Sequence, residues 1–342
     1  MSRSRSRHSP RDAVHGGPLS PRPRDGGPGP AIARAAAGPP EAALDFSVSA
    51  YKAGSALCQA FPRRVAENGA RAIARTVAAV SPERRQVVER NLQRIYEGRL
   101  SPPQLRRATG RVFDSYARYY VDSFRLPSLS VHEVDAGFAY EGYESVERTR
   151  SRGLGPILAL PHMGGWEWAA FWLTEVQQLG VTAVVEPLEP PELFDWFLEF
   201  RESLGMHIVP LGAGAGAEVI KAIKRGDVVC LLSDRDIGGG GVEVEFFGER
   251  TRLPGGPATL AIRTGTDILP SAVYFRDDHV HAVVRPPLAV ERSGSLRDDV
   301  KRITQALAHE LEGLIRREPE QWFLMQPNWP SDRRALGLEA PE

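Results

Sequence analysis

The stretch Ile157-Leu158-Ala159-Leu160-Pro161-His162-Met163-Gly164-Gly165-Trp166-Glu167 decides how this chain is read. Its first four residues are all apolar, the mark of a short strand buried on both faces. Pro161 ends the run, Gly164 and Gly165 allow a tight turn, and the aromatic-rich residues 166–179 have the length of a helix. The same unit recurs downstream. Residues 181–185, 191–204, 207–211, 218–224 and 228–232 read as strand, helix, strand, helix and strand. Residues 242–247, 257–264, 268–275, 279–284 and 296–317 follow as strand, helix, two strands and a long closing helix. This alternation predicts an α/β fold, a mostly parallel sheet flanked by helices.

Upstream the pattern is helical. Leu44, Val48, Tyr51, Leu57 and Phe61 fall near helical spacing, and Pro62 closes the segment. Ser81-Pro82-Glu83-Arg84 and Ser101-Pro102-Pro103 each start a helix, with Ser before the first turn and Pro inside it. The expected organisation is a disordered basic tail over residues 1–42, a domain over 43–330 and a C-terminal tail over 331–342. Within the domain, 43–135 is an α-helical lead-in of three or four helices and 136–330 the α/β core. The N-terminal tail is dominated by Ser, Arg, Pro, Gly and Ala and cannot bury enough apolar surface to offset its ordering entropy.

Charge and cysteine content exclude several classes. Lys+Arg and Asp+Glu each total 43, so no net charge draws the whole chain to nucleic acid. Cys58 and Cys230 lie far apart, which excludes a disulfide scaffold and a cysteine-built zinc site. No apolar run is long enough to span a bilayer, and the opening residues lack the apolar core of a secretory signal. A cytoplasmic protein able to lie on a membrane surface is expected.

The chemistry centres on His162, which stands where a buried strand meets a glycine turn, the edge at which parallel sheets bind ligands. Imidazole titrates near neutral pH, so His162 suits a general base. Glu167 follows it by five residues, about 140° around a regular helix, and so is expected to orient a backbone turn rather than polarise the imidazole. Asp234 emerges from the 228–232 strand at the same sheet edge and fits the polarising role, with Asp236 as its substitute. Its alternative role is to cap the turn before Gly238-Gly239-Gly240-Gly241. A Gly-x-Ser-x-Gly elbow is absent, and neither cysteine adjoins a histidine motif, which argues against a covalent hydrolase. His279 and His281 share a strand face without a third ligand nearby in sequence, so no metal site is expected. Gly212-Ala213-Gly214-Ala215-Gly216-Ala217 satisfies the dinucleotide-binding pattern, with Asp234 as the ribose acid. That keeps a nicotinamide-dependent oxidoreductase open as an alternative, although the unit follows two earlier strands. Trp166, Trp168, Phe171 and Trp172 cannot all face one core around a helix, so some are expected to line an apolar groove.

These residues resemble the lysophospholipid/lipid A acyltransferase family, and most closely its actinobacterial branch, the phosphatidylinositol mannoside acyltransferases. The resemblance rests on the His-x4-Asp/Glu hallmark, here His162 to Glu167 within PHMGGWEWA, and on stretches spread over residues 45–330. These are Val185-Glu186-Pro187, Arg201-Glu202-Ser203-Leu204-Gly205, Ser233-Asp234-Arg235-Asp236, Val242-Glu243-Val244-Glu245-Phe246-Phe247-Gly248, Arg90-Asn91-Leu92 and Pro319-Glu320-Gln321-Trp322. Position 167 is Glu where the mannoside enzymes look more like Asp, and the spanning helix usual in the lipid A branch is not visible. The resemblance implies a glycerol-3-phosphate acyltransferase-like fold and acyl transfer from a thioester to a sugar or glycerol hydroxyl. The expected donor is acyl-CoA as co-substrate, with no cofactor and no metal. The expected acceptor is a membrane glycolipid, a mannose of phosphatidylinositol mannoside. It also implies that Glu186 and Arg201 line the acceptor side. Backbone N–H groups near Gly164-Gly165 or Arg235 are candidates for the oxyanion. Arg250 and Arg252 could meet coenzyme A phosphates. The expected location is peripheral, on the cytoplasmic face of the cell membrane, where the 44–61 helix with Arg63 and Arg64 would lie in the interface or else pack on the domain. A non-catalytic lipid-binding protein of the same fold is a further alternative.

Overall fold

The computed structural model describes residues 41–338, with side chains from Val48 onward. The tail expected over 1–42 lies outside them except for Glu41 and Ala42, which open the first helix, and the Leu44 side chain lies outside as well. Four helices lead in: α1 (Glu41–Ala60), α2 (Arg63–Val80), α3 (Pro82–Ile95) and α4 (Pro102–Arg125). Their starts follow local chemistry. Pro82 fits the first turn of α3, where its missing N–H costs nothing. At α4, Ser101 N–H donates to Gln104 Oε1 at 2.9 Å in a capping box. Then come α5 (Val131–Ala136), β1 (Phe138–Glu141), α6 (Glu144–Ser151), β2 (Ile157–Leu160), α7 (Trp166–Phe171) and β3 (Val181–Val185). The chain continues through α8 (Pro191–Ser203), β4 (Met206–Pro210), α9 (Ala215–Arg225), β5 (Val228–Leu232), β6 (Val242–Phe246) and β7 (Glu249–Leu253). It closes with α10 (Gly256–Thr264), β8 (Ile268–Phe275), β9 (Val280–Val284), α11 (Leu296–Ile315) and α12 (Pro330–Ala335).

Seven strands form one sheet in the order β1-β9-β8-β2-β5-β3-β4, parallel throughout except between β8 and β9. The expected α/β class, a mostly parallel sheet flanked by helices, is what the chain adopts. Strand periodicity divides the core between the two faces. Leu158 and Leu160 of β2 join residues of α4, α7 and α8, whereas Ile157 and Ala159 join residues of α9, α10 and α11.

Several sequence expectations need correction. Residues 166–179 do not form one α-helix: α7 stops at Phe171, and residues Trp172–Val176 widen into a π-helical turn. That turn brings the Trp172 indole to Asp135 Oδ1 at 2.9 Å. The strand at 242–247 is not part of the main sheet. It pairs antiparallel with β7, which was not foreseen, and sets Glu243 opposite Arg252 and Glu245 opposite Arg250. Such opposite charges favour the ribbon. Helix α1 packs on the domain, with Tyr51 ringed by Tyr120, Phe124, Trp196 and Phe197. Of the C-terminal tail expected over 331–342, residues 339–342 lie outside the described residues and the start is helical: α12 buries Asp332, whose Oδ1 meets Arg90 Nε at 2.5 Å and Arg94 Nη2 at 2.6 Å.

Candidate active site

Parallel pairing of β2 with β5 sets Leu160 opposite Leu232. Two residues beyond each partner stand His162 and Asp234, so the register itself brings them side by side. His162 Nδ1 lies 2.6 Å from Asp234 Oδ1, and the His162 backbone N–H donates to Oδ2 at 2.9 Å. The Trp322 indole N–H donates to the same Oδ2 at 2.7 Å, and Asn328 Nδ2 donates to the Asp234 carbonyl at 3.0 Å. Asp234 is fully buried while the His162 side chain stays 26% exposed. A carboxylate accepts from Nδ1–H, which leaves the lone pair on Nε2, and no described group occupies that nitrogen. Burial pushes the Asp234 carboxyl up, but the adjacent His162 ring and the bonds from His162 and Trp322 outweigh it and hold the group below the usual carboxylate range.

The loop carrying His162 is stitched down on its other side. Met163 bridges antiparallel to Trp322, and Phe323 N–H donates to the His162 carbonyl at 3.1 Å. Gly164 adopts φ +60°, and a Cβ there would sit 1.6 Å from the Val273 carbonyl oxygen. Only glycine fits both the left-handed backbone and this close approach.

Glu167 makes no hydrogen bond to the imidazole, and in place of the expected backbone turn its carboxylate engages two side chains from other helices. Its carboxylate is buried, accepts from the Tyr119 hydroxyl at 2.6 Å and meets Arg201 Nη2 at 3.2 Å. Burial raises its pKa, and Arg201 and Tyr119 only partly offset the rise. Glu167 thereby ties α4, α7 and α8 together behind the histidine loop. Arg201 also lies 5.2 Å from the centroid of the Trp166 ring. Glu186 and Arg235 form a short ion pair with each other. Two of the oxyanion donors considered from sequence are engaged, because Gly164 N–H donates to the Gln321 carbonyl at 3.4 Å and Arg235 to Glu186. Asp236, offered as the substitute for Asp234, accepts the Gly241 N–H at 2.8 Å and is itself the cap of the glycine turn. Arg252 donates to the Gly239 carbonyl at 2.9 Å, and Arg250 lies 3.7 Å from Glu243. Both sit on the β6–β7 ribbon with partners of their own. His279 pairs with Asp278 at 2.7 Å.

The glycine pattern at 212–217 leads from β4, the edge strand of the sheet, into α9. Asp234 follows β5, with β3 between the two strands, and is committed to His162 and Trp322. The dinucleotide reading is left without its acid. Of the four aromatic residues at 166–172, Trp166 and Trp172 line a cavity of about 40 Å³ between α7 and the sheet, with Leu158, Leu160, Ala169 and Ala282 among the walls. Its surface is almost wholly carbon. Trp168 instead donates to the Val134 carbonyl at 3.2 Å.

Three neighbours of the site escaped sequence reasoning as participants: Tyr119, Trp322 and Asn328. Trp322 stood in a quoted motif but without a role. Tyr119 stands with Tyr116 and Tyr120 at helical spacing, which shows nothing of its hydroxyl's partner, and Asn328 carries no signal.

The profile of the bacterial lipid A biosynthesis acyltransferase family matches residues 42–331. A phosphatidylinositol mannoside acyltransferase of Mycobacterium tuberculosis is 40% identical over 225 residues, 64% of this chain and 69% of that protein. One of Mycolicibacterium smegmatis is 37% identical over 292 residues, 82% of this chain and 91% of that protein. The match runs from the helical lead-in through the sheet to the segment that carries Trp322 and Asn328. This chain belongs to the bacterial lipid A biosynthesis acyltransferase family and is an acyltransferase of that type.

Proposed function

We propose that this protein moves a fatty acyl chain from acyl-CoA to a mannose hydroxyl of a phosphatidylinositol mannoside, with His162 as general base. The observation that carries the proposal is the 2.6 Å contact between His162 Nδ1 and the buried Asp234 carboxylate, which leaves Nε2 open. An alcohol is a weak nucleophile at neutral pH. Nε2 takes the hydroxyl proton as the oxygen adds to the thioester carbonyl. The tetrahedral intermediate collapses by breaking its C–S bond, and the departing thiolate receives the proton from the imidazolium. Asp234 fixes the tautomer and stabilises the transient charge. No cofactor and no metal enter this scheme.

The apolar cavity beside the histidine loop supports an acyl substrate. At about 40 Å³ it is far too small for a fatty chain as it stands, so an acyl substrate must widen it. Mannose as the acceptor sugar rests on the names of the relatives, and Glu186 with Arg201 on the acceptor side rests on the family resemblance. In the same reading Arg235 and Arg252 exchange their present partners for substrate oxygens. The proposed location is peripheral, on the cytoplasmic face of the cell membrane. Among the described residues no helix is long and apolar enough to cross a bilayer.

The test is transfer from palmitoyl-CoA to a phosphatidylinositol mannoside, read by mass spectrometry. His162→Asn keeps a donor for Asp234 and removes the base, so turnover should fall by about 10²–10⁴-fold with the melting temperature held. Undiminished transfer in that variant removes His162 from the mechanism. Asp234→Asn should lose turnover while still binding palmitoyl-CoA. An acyl carrier protein thioester serving in place of palmitoyl-CoA, with the latter inert, overturns the donor assignment.

A further inference from the structure

The outer face of α2 is built inside out. At 100° per residue, Val65, Gly69, Ala72, Ile73, Thr76 and Val80 fall within an arc of about 100°, and all six are exposed. Three of the four bulkiest apolar residues of the helix are thus uncovered: Val65 is 55% exposed, Ile73 67% and Val80 72%. The face turned inward carries the small residues Ala74 and Ala78 beside Val77, and no α2 residue is fully buried. Five of the eleven large apolar side chains exposed among the described residues fall between 57 and 80, Leu57 and Phe61 completing the set. Charge follows the same helix. Arg64, Arg71 and Arg75 recur at positions i, i+7 and i+11, along one flank of the apolar strip. Between residues 48 and 82 the one acid, Glu67, is 16% exposed and paired with Arg63 and Arg71.

We infer that this strip is the surface by which the protein seats on an anionic lipid bilayer, Val65, Ile73 and Val80 entering the interface and the arginine flank meeting head-group phosphates. The inference rests on the proposed lipid acceptor for its purpose, and on the α2 geometry for its location. Charge complementarity selects the occupant. A second copy would bring the same arginines face to face. Residues 1–40 carry seven arginines against Asp12 and Asp25, a charge of the same sign as the arginine flank and no complement to it. Helix α1, by contrast, commits Tyr51 to the domain. Ion pairs of Arg63 with Asp122 and Arg75 with Asp114 fasten α2 to α4, whose Tyr119 reaches Glu167. The bilayer would then lie one helix layer from the residues behind the active site.

The test is flotation of the full chain with vesicles of phosphatidylcholine alone and of phosphatidylcholine mixed with phosphatidylglycerol. The wild type should float with the anionic vesicles, and Val65→Gln/Ile73→Gln/Val80→Gln should lose at least tenfold in binding with an unchanged melting temperature. Undiminished flotation of the triple variant overturns the inference. An acrylodan label on Ile73→Cys in a Cys58→Ser background should shift to the blue only when anionic vesicles are added. A label already blue-shifted without vesicles shows the strip covered by the protein's own chain or a second copy, and overturns the bilayer as occupant. Transfer to a water-soluble mannoside separates the two readings. It should persist in the triple variant, and its absence in the wild type would sink the proposed reaction while leaving the flotation result to decide the surface.

Discussion

At the residue scale, the site depends on a carboxylate held ionised where burial alone would neutralise it. Asp234 lies below its usual pKa because His162 and Trp322 bond its charged form. A lowered folded-state pKa means that the unfolded chain binds the extra proton on acidification. The contribution of Asp234 to stability is therefore complete above its unfolded pKa of about 3.9 and is lost as pH falls through the lowered value. Urea denaturation across pH 2.5–7 should show this acid loss in the wild type, and Asp234→Asn should flatten it. A second prediction concerns Gly164. A side chain there costs about 1–2 kcal/mol from the left-handed backbone alone, and overlap with the Val273 carbonyl adds to that. Gly164→Ala should lower the melting temperature and reduce transfer together. A folded, active alanine variant would show that the loop can shift without moving His162.

Elements meet behind the histidine loop at a buried ion pair. Glu167 of α7 and Arg201 of α8 are joined by Tyr119 of α4, and Glu167 Oε2 and Arg201 Nε have no described partners. An ion pair so placed adds little net stability, yet removing one partner strands the other charge. Glu167→Gln should cost about 3–5 kcal/mol in chemical denaturation, whereas Glu167→Leu/Arg201→Met should recover most of that loss. If the double variant is as unstable as the single one, the pair itself holds the three helices. The hallmark spacing of residues 162 and 167 is legible in sequence, but the partner of the glutamate is not, because Tyr119 and Arg201 come from helices 48 residues before it and 34 residues after it.

Across the whole molecule, α3 of the helical lead-in is clamped to α12, the last described helix. Arg90 and Arg94 of α3 grip Asp332 of α12 across more than 200 residues, and Arg94 also lies 4.1 Å from the centroid of the Trp329 ring. The clamp holds the segment that supplies Trp322 and Asn328 to Asp234. Asp332→Asn should destabilise the fold by about 3 kcal/mol and lower turnover, measured by guanidinium denaturation and by transfer assay. Stability within 0.5 kcal/mol of wild type would match an ordinary surface change instead.

The sequence alone determined the fold class and the sheet edge that carries the histidine. Those depend on strand periodicity and on apolar runs, which are local properties of the chain. It offered Asp234 as a partner for His162 beside Asp236 and a turn-capping role, whereas the β2–β5 register decided the pairing. Tertiary structure decided the partners of Glu167, the third bond to Asp234 from Trp322, the separate β6–β7 ribbon and the outward turn of α2. Each depends on which distant segments meet. A helix's own sequence shows that it has an apolar side, and only its neighbours decide whether that side faces the core.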